Sequence, residues 1–416
     1  MNILCKVIGV AAILICLAGT NYGQAPASNS STRRAIPDQP SYNPVWTPSR
    51  IGTSVLKNGM PDLGVPVGAA IGFLRPKIYY SVQYGDHLPT ANAHERNSII
   101  QEFEPSINIQ FAEHFFLSYA PKFIWYSDDV LKDQTNQQIN FNANGTVGDL
   151  SIRASQTYSL TEDPILETWA QTRQESIGTD LSAAYPLSNK TTIEASISRY
   201  TRFTDAYTDL ESWSGFVSLR RQRSQGLSVS IGAGSTYNFI NPGSDLVSHQ
   251  VKCGLRWTQG ERLFLEFEGG VDVSRFRAAS GESVENPVYG MSLNYRVFEF
   301  TTVSVGARRV VTPSLYSNQL SDVARYNFSI KQRIFVNFML QAGVDYSDYN
   351  YMNLAPGVAA NSDRSDKYWA YNMSLDTRLF AKVSVSVFCR YSRNRSDLNA
   401  FTYSGTLTGA SFRYAF

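Results

Sequence analysis

The feature that most limits how this chain can fold is a period-two alternation of apolar and polar side chains, sustained over long segments. In AKVSVSVFCRYS, Val383, Val385, Val387, Cys389 and Tyr391 share one parity, and Lys382, Ser384, Ser386, Phe388 and Arg390 share the other. NYRVFEFTTVSVGARR sets Val303, Val305 and Ala307 against Thr302, Ser304, Gly306 and Arg308. RYNFSIKQR, KYWAYNMSLDTRLF and LFLEFEGGVDV behave alike. Successive side chains of a strand point to opposite faces, so each segment reads as a strand with one apolar and one polar side. No comparable stretch carries the period of a helix.

Strand length narrows the class further. These strands run about 10–15 residues, against about 5–6 in an ordinary sheet. A soluble sandwich packs its apolar faces on a second sheet of short strands. Here the polar parity carries Ser, Gly, Asn, Gln and charges of both signs. Long strands that are apolar outside and polar inside describe a transmembrane barrel. The spacers give an independent sign. DHLPTANAHERNS, AEH, SDDVLKDQT and NGTVGD open the series, and TPSLYSNQLSD, RIF, SDYNYMNLAPGVAANSDRSDK, FAK and RNRSDLNA close it. They alternate long and short, as extracellular loops and periplasmic turns do. The expected fold is all-β, a transmembrane antiparallel up-and-down β-barrel of about 18 strands with both termini periplasmic; one merged or split hairpin would make it about 16 or 20.

The N-terminus, MNILCKVIGVAAILICLAGTNYGQA, places Lys6 before an apolar core and small residues after it. That apolar run is about 12 residues, where a spanning helix needs roughly 20, so residues 1–23 read as a Sec signal peptide. Cys16 lacks the residues of a lipobox before it. Residues 24–71 form a Pro/Ser-rich extension, periplasmic or partly in the pore, and 72–416 the barrel. The expected location is the bacterial outer membrane, with its lipids and the barrel-assembly machinery as partners. The extension is too short for a folded plug of the TonB-dependent kind.

The net charge of +2 gives no bulk argument for nucleic acid. Charged residues make up 17% of the chain, below the ~25% of soluble domains. Cys253 and Cys389 fall on the apolar parity of separate strands, as small apolar residues and not a redox pair. No metal-ligand spacing and no GxxxxGK loop occurs, so no cofactor is expected.

The polar parity supplies the pore-lining candidates: Arg75, Lys77, Lys122, Arg153, Lys252, Arg256, Glu266, Glu268, Arg296, Arg308, Lys331, Arg378 and Arg390. Basic residues outnumber acidic ones within the strands, while acids such as Asp128, Asp163, Asp209 and Glu285 gather in the long loops. A wet lumen with mild anion preference and an acidic outer rim would follow; pairing of opposite charges across strands along a hydrated wall is the plainer reading. Tyr80, Tyr84, Tyr119, Trp125, Trp213, Trp257, Trp369 and Tyr391 are candidates for interfacial girdles. The expected function is passive passage of hydrophilic solutes or an exported polysaccharide, without chemistry.

Two other classes stay open. A surface adhesin would use the Tyr- and Asn-rich loop after Asp348, residues 349–366. A lipid hydrolase would need a nucleophile and base on the outer wall, and folding the hairpin over NFINPGSD brings Ser235 towards His249.

The stretch FLRPKIYYSVQYGDHL, followed by IIQEFEPSINIQFAEHFFLSYAPKFIWYSDD, resembles the β-barrel porin type 2 family. The resemblance extends over about residues 72–416 as loose strand patterns. It implies a pore or an export channel, some family members being associated with exopolysaccharide, and carries over no catalytic residue. The chain ends GASFRYAF, with Phe412, Tyr414 and Phe416 on one face. That ending resembles the signal by which the assembly machinery recognises its clients. Tyr403, Gly405 and Leu407 fall on the opposite parity, so either a bulge lies near Thr408–Ala410 or the upper part of this strand faces differently.

Overall fold

Each alternating segment is a strand in the computed structural model, which describes residues 65–66, 73–88, 96–111, 114–165, 167–277, 283–353 and 364–416. Residues 1–23, read above as a signal peptide, and residues 24–71 except Val65–Pro66 lie outside those residues. Val65–Pro66 is a two-residue strand, β1, paired with Phe73 and Leu74. The wall begins with β2 (Phe73–Leu88), β3 (Arg96–Phe111), β4 (Phe115–Tyr126), β5 (Gln134–Val147), β6 (Leu150–Thr161) and β7 (Gln174–Ser188). It continues with β8 (Thr191–Thr204), β9 (Asp209–Ser224), β10 (Leu227–Asn241), β11 (Leu246–Gln259), β12 (Leu263–Phe276) and β13 (Ser283–Phe298). It ends with β14 (Thr301–Pro313), β15 (Gln319–Phe335), β16 (Phe338–Asn353), β17 (Ser365–Phe380), β18 (Val383–Ser396) and β19 (Tyr403–Ala415).

Every strand from β2 to β19 pairs antiparallel with its chain neighbours, and β19 pairs back onto β2. The result is a closed barrel of eighteen strands, 12–17 residues each. Closure leaves no unpaired edge, which is the condition for a sheet to survive in hydrocarbon. Among the described residues the only helical element is the 3-10 turn Asn399–Phe401. Short turns such as Gly148–Asp149, Gln225–Gly226 and Ala381–Lys382 close one end, and longer segments such as 127–133, 162–173 and 397–402 close the other. Five register shifts lie at short-turn ends, at Pro186/Ser188, Leu227/Ser228, Arg296/Phe298, Arg333/Phe335 and Arg378/Phe380, and a sixth, Gly85/Leu88, lies at a long-loop end. Bulges tighten local twist there without breaking the ladder.

The two parities differ in exposure along much of the wall; β6 is an exception, with outward Tyr158 and Leu160 buried and inward Ser151 and Arg153 exposed. Val82, Ile197, Val217, Ile231, Val251, Phe267, Met373 and Val387 stand exposed on the outer wall. Ser81, Gln83, Glu102, Ser274, Ser392 and Asn394, on the opposite parity of their strands, are buried inside. Of the eight girdle candidates, Tyr80, Tyr84, Tyr119, Trp125, Trp213, Trp257 and Tyr391 are exposed, and Trp369 is half-buried. Cys253 and Cys389 are free thiols and also exposed. Burying the apolar outer wall in lipid removes it from water at about 25 cal/mol per Å².

The last strand has no bulge. Its pairing runs unbroken from Asn394↔Tyr403 to Val383↔Tyr414, and from Thr406↔Asp86 to Ala415↔Lys77. The second alternative holds: the inward parity of its upper half is apolar, with Tyr403 at 6% and Leu407 at 1% exposure. At the lower end the Ala415 N–H donates to the Lys382 carbonyl at 3.0 Å and the Phe416 N–H to the Pro76 carbonyl at 3.2 Å. Phe416 packs edge-on against Tyr414, 4.7 Å between centroids. The terminal residue therefore fastens the foot of the closing seam. Removing Phe416 should lower the yield of surface-assembled barrel several-fold while leaving the conductance of the barrels that do form unchanged; heat-modifiable electrophoretic mobility of outer-membrane fractions measures the first and bilayer recording the second.

Candidate functional site: a loop-closed lumen

The register sets all thirteen pore-lining candidates on the inward parity. Arg75 and Lys77 face Asn108 and Ser106 across the β2–β3 ladder, and Arg153 faces Asn144 and Ser182. Lys331 faces Thr302 and Gln341, and Arg378 faces Ser384. Glu268 stands between Gly254 and Gly290. Several charges are paired across strands: Lys122 Nζ with Glu102 at 2.9 Å, Arg256 with Glu266 at 2.5 Å, and Arg296 with Glu261 of the adjoining short turn at 3.5 Å. Arg220 and Glu194 add a pair at 2.7 Å that sequence reading did not single out. Arg390 donates to the Tyr368 hydroxyl at 2.9 Å, and Lys252 lies over the Phe216 ring. Arg308 and Arg325 are direct cross-strand neighbours, a like-charge arrangement on the lumen wall.

The inward face is not polar throughout. Near the long-loop end, Val323, Tyr349, Tyr351, Tyr368, Ala370 and Tyr403 form a buried apolar cluster inside the barrel. Ile100, Ile124 and Leu407 form a second with Leu131. What fills the lumen between these strands is loop. Segment 162–173 carries Trp169, 4% exposed, into the first cluster, where its ring meets Tyr403 edge-on at 4.5 Å. Leu131 of segment 127–133 seats in the second. The long-loop end is thus capped from within, at the level of Ala370, five residues inside β17.

Glu167 ties this loop down. Its carboxylate accepts from the Ser314 hydroxyl and, at 3.2 Å, from the Leu315 N–H. Its carbonyl accepts both Nη1 and Nη2 of Arg364 at 3.0 Å. Arg364 is itself sandwiched between Tyr351 and Phe401, 4.3 and 3.9 Å from the ring centroids, and pairs with Asp366 at 3.1 Å. Segment 314–318 continues the closure. The Thr208 N–H and hydroxyl donate to the Leu315 carbonyl at 3.1 and 2.9 Å, and Asn318 accepts from the Ser244 N–H at 2.8 Å. Arg202 reaches the Thr208 and Ser314 carbonyls. The loops of four other hairpins, β8–β9, β10–β11, β14–β15 and β16–β17, are joined to segment 162–173 directly or through segment 314–318.

Burial pushes the Glu167 carboxyl above the usual carboxylate range, against the opposing pull of Ser314, Arg202 and Arg364. Burial likewise raises Asp163, opposed by Lys122 and Asn136. Asp163 was expected in an acidic outer rim; instead it is 5% exposed, and with Gln83, Glu102, Lys122 and Tyr126 it lines a pocket inside the wall. Tyr349 and Tyr351 are also turned inward and buried, so they offer no adhesive surface, and residues 354–363 of that loop lie outside the described residues. On the outer wall, Ser235 Oγ and His249 Nδ1 are hydrogen-bonded at 2.8 Å, as the hairpin geometry anticipated. Among the described residues no carboxylate is bonded to His249.

The latch residues Glu167, Trp169, Ser314 and Arg364 were missed in the sequence. The available signal was PILETWA, an apolar and aromatic run inside what otherwise reads as a polar spacer.

No protein-family model matches this chain. No curated protein matches it either. Solved structures similar to it include Pseudomonas aeruginosa OpdO (TM-score 0.44, 11% identity, 82% of this chain and 97% of that one). Acinetobacter baumannii OccAB3 aligns with TM-score 0.44 at 8% identity, over 82% of this chain and 99% of that one. The P. aeruginosa siderophore receptor PirA aligns with TM-score 0.42 at 11% identity, over 82% and 80%. At such values the likeness adds nothing to the strand pairing, which by itself defines the closed barrel.

The buried pair Lys122–Glu102 supplies a test of the lumen wall, since its side chains are 14% and 6% exposed. Truncating one partner strands a buried charge at a cost of about 3–5 kcal/mol. Lys122→Met alone should therefore lower folding stability by that order in urea titrations, and Lys122→Met/Glu102→Gln should recover most of it.

Proposed function

We propose that this chain is a channel of the bacterial outer membrane that passes small hydrophilic solutes without chemistry. The observation that carries this reading is the division of a closed eighteen-strand wall into an exposed apolar outer face and a charged, hydroxyl- and amide-rich inner face. An apolar belt of this extent suits lipid, and a barrel of about this many strands encloses an aqueous lumen. The alternation of long and short connections supports extracellular loops over periplasmic turns. Basic side chains outnumber acidic ones on the inward parity, and Arg308 opposite Arg325 adds a local excess, which supports mild anion preference. Exported polysaccharide is the finer version of this reading; it rests on the family resemblance, and a chain of that width requires the 162–173 loop to move aside.

Proteoliposome swelling tests the reading. Vesicles holding the refolded protein should swell in monosaccharide faster than protein-free vesicles and show a steep loss of rate with larger oligosaccharides. Equal rates with and without folded protein would remove the channel reading. A salt gradient across a planar bilayer should give a reversal potential displaced towards the anion's.

The hydrogen-bonded Ser235–His249 pair favours one second reading, a lipid-ester hydrolase on the outer wall. It predicts fatty-acid release from phospholipid vesicles by the intact protein, lost in Ser235→Ala. No release by the intact protein would eliminate it.

A further inference from the structure

We propose that residues 162–173 are a gate over the lumen, held shut by the Glu167 latch, and that proton uptake by the loop favours the shut state. The inference rests on the channel reading and specifies how that channel is regulated.

Three geometric facts point to a gate and not to a permanent floor. Among its described residues the loop sets two apolar side chains into the lumen as buried anchors, Ile165 and Trp169. At its middle one residue, Glu167, bonds two elements remote in the chain, the Ser314–Leu315 turn through its carboxylate and Arg364 through its carbonyl, while its ends are held by the Glu162 N–H on Asn136 and by two bonds between Gln171 and Lys132. Finally, both ends of the loop run straight into wall strands, β6 and β7, whose pairing is complete without it. Unseating the loop therefore breaks no strand ladder.

The charged and titratable groups around the latch set the direction of its response. Facing Glu167 are Arg202 from β8, Arg364 ahead of β17 and Tyr351 from β16, with Asp366 behind Arg364. Facing Asp163 are Lys122 and Tyr126 from β4 and Glu102 from β3, with Glu162 beside it in the chain. Despite the cations, burial prevails and both carboxyls hold a proton more tightly in the seated loop than in water. The sign follows by linkage: a raised value in the shut state adds stability to that state at low pH, and this contribution is lost as pH rises through the raised value. Acidification shuts the gate and alkalinisation loosens it.

The test is bilayer recording of the mature protein from about pH 5 to about pH 8, with Glu167→Gln, Glu167→Ala and Arg364→Ala. Heat-modifiable mobility confirms that each variant folds. Mean conductance of the unaltered protein should rise with pH. Glu167→Gln, neutral at every pH, should stay shut with a flattened response. Glu167→Ala and Arg364→Ala should conduct on the order of 5-fold more at low pH. A pH-independent conductance that Glu167→Ala does not raise would overturn the gate while leaving the channel intact. A folded protein lacking 164–171 that conducts nothing would instead overturn the channel reading. Should the latch variants fail to fold, acrylamide quenching compared between the unaltered protein and Trp169→Phe gives the same decision: Trp169 should be shielded at low pH and accessible at high pH, and constant shielding would contradict the proposal.

Discussion

The structure depends on one condition: in a barrel whose outer wall is apolar, no strand may keep an open edge. An exposed row of backbone N–H and C=O groups in hydrocarbon costs several kcal/mol per group. Seventeen ladders between chain neighbours satisfy all but two edges, and the pairing of β19 with β2 satisfies those. The seam is therefore the one non-local contact on which the rest relies. It explains why the final residues are engaged to the end, with Ala415 bonded to the neighbouring turn and Phe416 to β2.

Closure in turn creates the inside. Once the apolar parity faces outward, Ser, Asn, Gln and charged residues converge on a narrow space where desolvation matters. They answer it by pairing, as Lys122 with Glu102 and Arg256 with Glu266 do. The wall alone would leave a polar bore from end to end. The loops alter that: Trp169 and Leu131 complete apolar clusters whose other members are inward-facing strand residues. Tyr403 and Leu407, out of place in a purely polar lumen, are the sockets for those loops.

This division explains what could be read in the sequence. Strand existence, face assignment and the long–short rhythm of connections were legible because each depends on local periodicity, and Val383–Tyr391 shows it in nine residues. The parity of the charged residues was legible for the same reason. The latch was not. Glu167, Ser314 and Arg364 are far apart in the chain, and nothing local to LTEDPILET says where its carboxylate will rest. Parity also left open whether β19 carried a bulge, because an inward apolar residue makes sense only once its loop partner is known. Asp163 illustrates the same limit: it looked like a rim acid and is held inside by the neighbourhood of Lys122 and Asn136.

The central claim is that one parity meets lipid and the other the lumen, and the native thiols offer its most direct measurement. Cys253 and Cys389 lie on the outer wall, each next in sequence to an inward-facing cation, Lys252 and Arg390. In protein reconstituted in bilayers, a membrane-impermeant maleimide should leave Cys253 and Cys389 unmodified. In a background lacking both native thiols, Lys252→Cys and Arg390→Cys should react from the aqueous phase. Modification of the native pair with protection of the introduced pair would contradict the account.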